Sequence, residues 1–258
     1  MPADPSHLDR VRAQFARQAR PYAEMRQARD EATLAALATL AGAGPGVRVL
    51  DVACGPGFLT LAFAARGAEA VGLDATRELL ALAREEAERR AQGRVRFVSG
   101  RAEATGFDDA SFDVVSCRAA FHHFPEPARV LAEMRRVARP GGRLLVADLL
   151  GSEDPRKAAL HDRIERLCDP SHARALPRSE LDRLFADAGL AVRFARETEL
   201  GYELEEWLPH GGPGPEATAE IRALLEGSMA DDGADLAVRR RGVRLHFRHR
   251  AAVFLLER

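Results

Sequence analysis

Apolar residues recur along this chain in two rhythms, and the alternation between them divides it into elements. Val47, Val49, Leu50, Val52 and Ala53 form a short run rich in β-branched residues, bounded behind by the glycines of 42–46. That pattern predicts a buried parallel strand. Cys54-Gly55-Pro56-Gly57 follows at once, and Phe58, Leu59, Leu61, Ala62 and Ala65 then take up helical spacing. Further strand-like runs lie at 70–73, 95–98, 112–117 and 144–149, with helical patterns over 77–91 and 125–138 between them. Thr76 is placed to cap the first of these helices. Strands alternating with helices predict an α/β domain built on a parallel sheet.

The flanks read differently. Over residues 1–46, Val11, Phe15 and Ala19 recur at helical spacing, and Leu34, Leu37, Ala38 and Ala41 do so again, so two helices are expected with Pro21 between them. Beyond residue 150 the pattern predicts an amphipathic helix over 157–168 and a second over 181–188, capped by Ser179 and stopped at Gly189. Residues 190–200 and 245–256 read as a last, antiparallel pair of strands. Between them 202–242, with Trp207 and a glycine-proline break at 211–215, is expected to be a lid or acceptor-binding element. Simple filling of the structure is the competing account.

The loop between the first strand and helix carries the chemistry. Gly55 and Gly57 let backbone pass close to a ligand. The helix start beyond them offers free N–H groups and the positive end of a dipole. Asp51 ends the first strand beside the loop, and Asp74 ends the next, where a carboxylate is placed to accept both hydroxyls of a ribose. A turn that merely needs glycine is the plainer reading of the loop alone. His122 and His123 follow the fourth strand, which should lie beside the first, and so fall at the switch point where ligands bind in open α/β sheets.

Taken together, VLDVACGPG, VGLD, FDVVSCRAAFHHF and RVARPGGRLLVADLL resemble the class I S-adenosylmethionine-dependent methyltransferases, and most of all the ubiquinone/menaquinone-methyltransferase-like branch of small-molecule enzymes. The likeness covers residues 45–150 strongly and the flanks weakly. A dinucleotide fingerprint fits less well, because Thr60 stands where its third glycine belongs, and a phosphate-binding P-loop lacks its Gly-Lys-Ser/Thr. The resemblance implies a Rossmann-like α/β fold. Its seven-stranded, mostly parallel sheet would carry helices on both faces, a helical cap over 1–46, and a methyltransferase domain over 47–258 with lid-like insertions at about 151–176 and 202–242. It implies S-adenosylmethionine as cofactor, with contacts at Tyr22, Asp51, Ala53, Gly55, Gly57, Asp74, Ala75, Ala102, Glu103 and Arg118. Phe15, Ala19 and Tyr22 are similar to the branch's N-terminal cap, although Phe15 and Tyr22 also suit plain helix packing. Arg101 departs from the pattern, standing where the branch has an acid for the adenine amino group. Backbone at Ala102 or the Glu103 side chain is left to read the ring.

Methyl transfer from a sulfonium needs neither a metal nor a covalent nucleophile. A base helps only where the acceptor must lose a proton. His122 and His123 are therefore the expected acceptor-contacting catalytic residues, with Asp148 and His172 as weaker alternatives, and a helix-capping or packing role remains open for at least one of the pair. The expected acceptor is a small molecule. An RNA or protein methyltransferase, or a cofactor-binding protein without transfer, are the alternatives.

Composition narrows these choices. A chain of 258 residues, 46% hydrophobic and 30% charged with a formal net charge of -1, fits a globular domain and has no electrostatic footprint for nucleic acid. Cys54, Cys117 and Cys168 are odd in number and widely spaced, so neither a disulfide framework nor a metal site is expected. No apolar run approaches a membrane span and no signal-peptide pattern opens the chain, which predicts a cytoplasmic protein, monomeric or homodimeric.

Overall fold

Neighbouring residues on the central strands bury opposite faces, and both are apolar. Val49 packs with Leu34, Phe63 and Val114 on one side of the sheet, while Leu50 packs with Val115, Leu131 and Phe254 on the other. A strand covered on both sides must be apolar at every position, which is why it reads as a run and not as an alternation. The computed structural model describes residues 5–258, with side chains described from His7 onward.

The strands are β1 (Arg48–Val52), β2 (Glu69–Asp74), β3 (Val95–Ser99), β4 (Phe112–Arg118), β5 (Ala138–Gly151), β6 (Leu176–Pro177), β7 (Ala191–Glu203), β8 (Arg239–Arg241) and β9 (Arg244–Glu257). The sheet runs β3-β2-β1-β4-β5-β9-β7, with β6 pairing β5 and β8 pairing β9 beside that path. The first five strands on the path are mutually parallel, and β9 is antiparallel to both β5 and β7. This is the expected seven-stranded, mostly parallel, Rossmann-like sheet with two short strands added. The helices are α1 (Pro5–Glu24), α2 (Arg26–Arg29), α3 (Glu31–Leu40), α4 (Phe58–Ala65), α5 (Arg77–Arg89), α6 (Pro127–Val137), α7 (Pro155–Cys168), α8 (Arg178–Asp187), α9 (Leu204–Gly211) and α10 (Pro215–Gly227). Among the described residues no helix is long and apolar enough to cross a membrane.

Several local expectations need correction. Pro21 does not separate two helices: it lies in the last turn of α1, which continues to Glu24. Thr76 holds the N-cap position of α5 but makes no side-chain cap bond. Ser179 sits inside α8, and its backbone N–H and hydroxyl both donate to Glu153 (2.9 and 2.6 Å). A carboxylate from the loop between β5 and α7 thus serves that helix start, where negative charge is favoured. The fifth strand begins at Ala138, well before residue 144, with a register irregularity against Phe112 and Val114.

Residues after β7 build a separate apolar cluster around Trp207, joining Ile164 of α7, Ile221 and Leu225 of α10, and Phe247 of β9. The excursion packs against α7 and β9, and its Tyr202, Trp207 and His210 also line a cavity. Trp207 is 2% exposed, its ring edge-on to Phe247 at 5.2 Å.

At the end of β1, Asp51 is buried, and its two oxygens accept from the hydroxyls of Thr60 on α4 and Ser116 on β4, each at 2.7 Å. It clasps three elements beneath the glycine loop. Burial pushes its carboxyl up from 3.8 to about 6, against the pull of those two hydroxyls. Folding therefore holds this proton more tightly, and the resulting stability is complete below the unfolded value and lost as pH rises through about 6. Asp51→Asn should remove this dependence. Urea denaturation from about pH 4 to 7 should show the parent losing about 2–3 kcal/mol relative to the variant across that window. Parallel profiles would show that Asp51 does not titrate there. Trp207→Ala should cost about 3–5 kcal/mol, read by circular dichroism in denaturant.

Candidate active site

The carboxyl edge of the parallel strands is roofed by α1. Gln14 and Gln18, both buried, each donate a side-chain N–H to the Gly211 carbonyl at the end of α9, the first at 2.9 Å. His7 Nε2 donates to the His123 carbonyl at 2.8 Å. Beneath this roof lie two chambers.

The first, a cleft of about 830 Å³ counted out to its mouth, is lined by Ala53, Gly55, Leu73, Asp74, Ala75, Thr76, Leu79, the 100–103 turn, Ala119, Ala120, Phe124 and the α1 residues Phe15 and Tyr22. Asp74 accepts from the backbone N–H of Gly55 and Thr76, both at 2.8 Å, tying the tip of β2 to the loop after β1. Gly55 has φ +55°, and a Cβ there would project to 3.6 Å from the Tyr22 ring. Ala53 and Ala119, at the ends of β1 and β4, also hold left-handed backbone (φ +54° and +52°). Strain of this kind on non-glycine residues gathers at ligand sites.

The second chamber, of about 780 Å³ counted out to its mouth, shares Phe15, Tyr22, Ala119 and His123 with the first. Arg118, His122, Glu165, Asp169, His172, Tyr202, Trp207, His210 and His249 complete much of its wall. Five of the chain's eight histidines thus face one cavity.

The expected site residues divide accordingly. Tyr22, Ala53, Gly55, Asp74, Ala75, Ala102 and Glu103 are brought together around the first chamber, with Arg101 pairing to Glu103 at 3.6 Å. Asp51 does not line it, because both its oxygens are spent on Thr60 and Ser116. Gly57 does not line it either. A Cβ there would meet the Phe97 ring at 2.7 Å, so this glycine serves helix–sheet packing. Arg118 lines the second chamber, not the first, and donates to the carbonyl of Gln27 at 2.6 Å.

His122 and His123 are adjacent yet differ in kind. His122 Nδ1 is 2.5 Å from Asp148 Oδ1. Asp148 is itself fixed by the N–H groups of Ala120, Phe121 and Leu149. Burial alone would lower the His122 pKa, but the charge and hydrogen bond of Asp148 outweigh it, so the net shift is upward. Because Asp148 accepts at Nδ1, the ring's second nitrogen, Nε2, is left basic. His123 has no carboxylate partner of that kind. Its Nδ1 lies 3.1 Å from the Ser171 carbonyl, to which it can only donate, and burial beside His122 pushes its pKa down to about 3. His172 Nε2 bonds Asp162 at 2.8 Å.

Sequence reasoning missed Glu165, Asp169, His210 and His249, and with them His161 behind the wall. The one local signal was His161 and Glu165 four residues apart on a helix, hence on one face. His249 arrives through β9, 84 positions after Glu165, and no local pattern announces it.

Residues 50–146 match a family described as "Methyltransferase domain". The chain is 34% identical over 188 residues to the uncharacterized methyltransferase YcgJ of Bacillus subtilis, covering 73% of this chain and 74% of that protein. It is 32% identical over 162 residues to a ubiquinone biosynthesis O-methyltransferase of Leptothrix cholodnii, covering 60% and 68% of the two chains. The crystal structure of YcgJ superposes with a TM-score of 0.83 at 29% identity, covering 88% of this chain and 98% of the other. A putative methyltransferase from Bacillus halodurans gives 0.82 at 28%, with the same coverage. With its Rossmann-like sheet and a relative matched over nearly three quarters of each chain, this chain belongs to the class I S-adenosylmethionine-dependent methyltransferases.

Proposed function

We propose that the protein methylates a small molecule bearing an acidic hydroxyl, with a phenol or hydroquinone as the favoured class. The observation that carries this reading is the meeting of the two chambers at Phe15, Tyr22, Ala119 and His123, with the His122–Asp148 pair just inside the second. The first chamber fits S-adenosylmethionine. Asp74 would hold the ribose hydroxyls and Ala102 with Glu103 the adenine edge. The space above Gly55, which a side chain would fill, takes the methionine end beneath Tyr22. Bound there, the cofactor supplies a methyl group already activated by its sulfonium.

The second chamber would then hold the acceptor. Its aromatic walls, Phe15, Tyr22, Tyr202 and Trp207, suit a flat ring. His122 would take the hydroxyl proton through Nε2 while Asp148 keeps the ring in the required tautomer and steadies the cation formed. His123, held neutral, orients and packs. The α1 roof excludes water, which supports a small acceptor over a macromolecular one. The L. cholodnii relative's name, with its O-methylation of a quinone precursor, points the same way. Demethylmenaquinone methyltransferase of Renibacterium salmoninarum, 40% identical over 107 residues but covering only 43% of that protein, supports the same ring class.

Asp74→Ala should weaken S-adenosylmethionine binding by about 1.5–3 kcal/mol, as loss of charge-assisted hydrogen bonds would. Calorimetry on the folded variant reads this, and unchanged affinity removes Asp74 from the ribose. His122→Ala should slow single-turnover methylation across a phenol and hydroquinone panel by about 10²–10⁴-fold with cofactor affinity intact. In the parent, the rate should fall as pH drops through an ionisation above the ordinary histidine value of 6.5, because the base must be unprotonated. The groups around His122 are Asp148, His123, His172, Glu165 and Asp169, and only Asp148 bonds its ring. Loss of that pH limb in His122→Ala, but not in His123→Ala, identifies the base. Two variants that methylate like the parent would sink the assignment.

A further inference from the structure

Behind the acceptor chamber, α7 and β9 bring His161, Glu165 and His249 together. All three are buried, at 2%, 5% and 1% exposure, and one ligand atom from each lies within 4.8 Å of the others. His161 Nε2 is 3.2 Å from His249 Nδ1 and 3.8 Å from Glu165 Oε1, and His249 Nε2 is 3.3 Å from that same oxygen. Ligands about 2.0–2.2 Å from a tetrahedral metal stand about 3.3–3.6 Å from each other. Two of the three separations, 3.2 and 3.3 Å, are close to such an edge, though they run from different nitrogens of His249, and the third is 3.8 Å, so a modest turn of the His249 ring would close the face.

Hydrogen bonding accounts for only part of the cluster, through His161 Nε2 and His249 Nδ1. Glu165 Oε1 and His249 Nε2 are both fully buried and both without a hydrogen-bond partner. A buried carboxylate oxygen and an imidazole nitrogen left facing one another are the exceptions that call for an explanation. Nothing in the fold demands them, since the apolar cluster around Trp207 already joins α7 to β9. Arginine is abundant in this chain, yet no arginine pairs with Glu165 among the described residues.

We propose that His161, Glu165 and His249 form a binding site for one divalent transition metal of the zinc class, with a coordination position open to the second chamber. Two imidazoles and a carboxylate suit zinc, cobalt, nickel or iron(II), and not magnesium or calcium, which want all-oxygen shells. Glu165 and His249 line the second chamber, whereas His161 does not. The three ligands thus approach from the wall and leave the chamber side for a fourth. That fourth ligand would be an oxygen of the acceptor, held at a fixed distance from the His122–Asp148 pair. This last role rests on the methyl-transfer reading, but the metal site does not.

The test needs no methyl transfer. Full-length protein stripped with a chelator is titrated with Zn²⁺ alone by calorimetry. One Zn²⁺ per chain is expected, with Glu165→Gln and His161→Gln each weakening binding at least about 100-fold and circular dichroism showing both variants folded. The stripped parent is then loaded with Co²⁺, and acetohydroxamic acid is added as an oxygen-donor probe. A change in the Co²⁺ absorption spectrum would show the open position. No Zn²⁺ binding by the parent, or equal binding by both variants, overturns the site. An unchanged Co²⁺ spectrum overturns the open position. Because S-adenosylmethionine is absent throughout, failure of the site and failure of the methyltransferase reading register in different experiments.

Discussion

Two buried amides meeting on one carbonyl hold the site together. Gln14 and Gln18 of α1 converge on Gly211 at the end of α9, and Gly211 has no room for a side chain, since a Cβ would meet the Cys168 carbonyl at 2.4 Å. The consequence is electrostatic as much as steric. With α1 in place, Tyr22, His123 and Glu165 leave water, and burial is the largest cause of their shifts: it carries Glu165 up to about 8 and His123 down to about 3. Without the roof, the first chamber would lose one wall. Enclosure is therefore a precondition for the chemistry and not an ornament of the fold.

The glycine loop shows how a ligand site is assembled from competing demands. Asp51 and Asp74 look equivalent in the sequence, each an acid at a strand tip. Topology separates them. Asp51 lies on the central strand, where Thr60 and Ser116 satisfy it from both sides, so it fixes the loop from below. Asp74 lies one strand out, where its carboxylate can tie the loop through Gly55 and still line the cavity. The two glycines divide in the same way. Gly55 lines the first chamber beneath Tyr22, and Gly57 lets Phe97 and Ala83 close against the helix start.

These divisions explain what could be read from residues alone. Strands such as Val49–Val52 and the turns that follow them depend on short-range pattern, and four such stretches together announced the fold class, the family and most of the first chamber. Pro21 misled because its ring is tolerated near the end of an already packed helix. Ser179 misled because a carboxylate from another loop outcompeted its hydroxyl at the helix start. The second chamber was largely illegible, for a different reason. Glu165, His210 and His249 come from α7, α9 and β9, and they meet only because β9 inserts between β5 and β7. An antiparallel register places His249 and tertiary packing of two helices places the others, and nothing in their own neighbourhoods encodes either.

His122 and His123 carry this argument to its end. The sequence offers two identical side chains in adjacent positions and gives no ground for choosing between them. A 3-10 turn over Phe121–His123 sends them to different partners: His122 to Asp148, and His123 to the Ser171 carbonyl and the edge of Phe15, 5.1 Å away between ring centres. In a shared low-dielectric pocket, two cations 4.2 Å apart between ring centres would repel strongly, so a carboxylate on one side decides which ring takes the proton. Asp148 thus raises His122 against the effect of burial, while burial first, and then the charge of His122, lowers His123. One short turn thus sets a ring that holds its proton against a carboxylate beside a ring kept neutral.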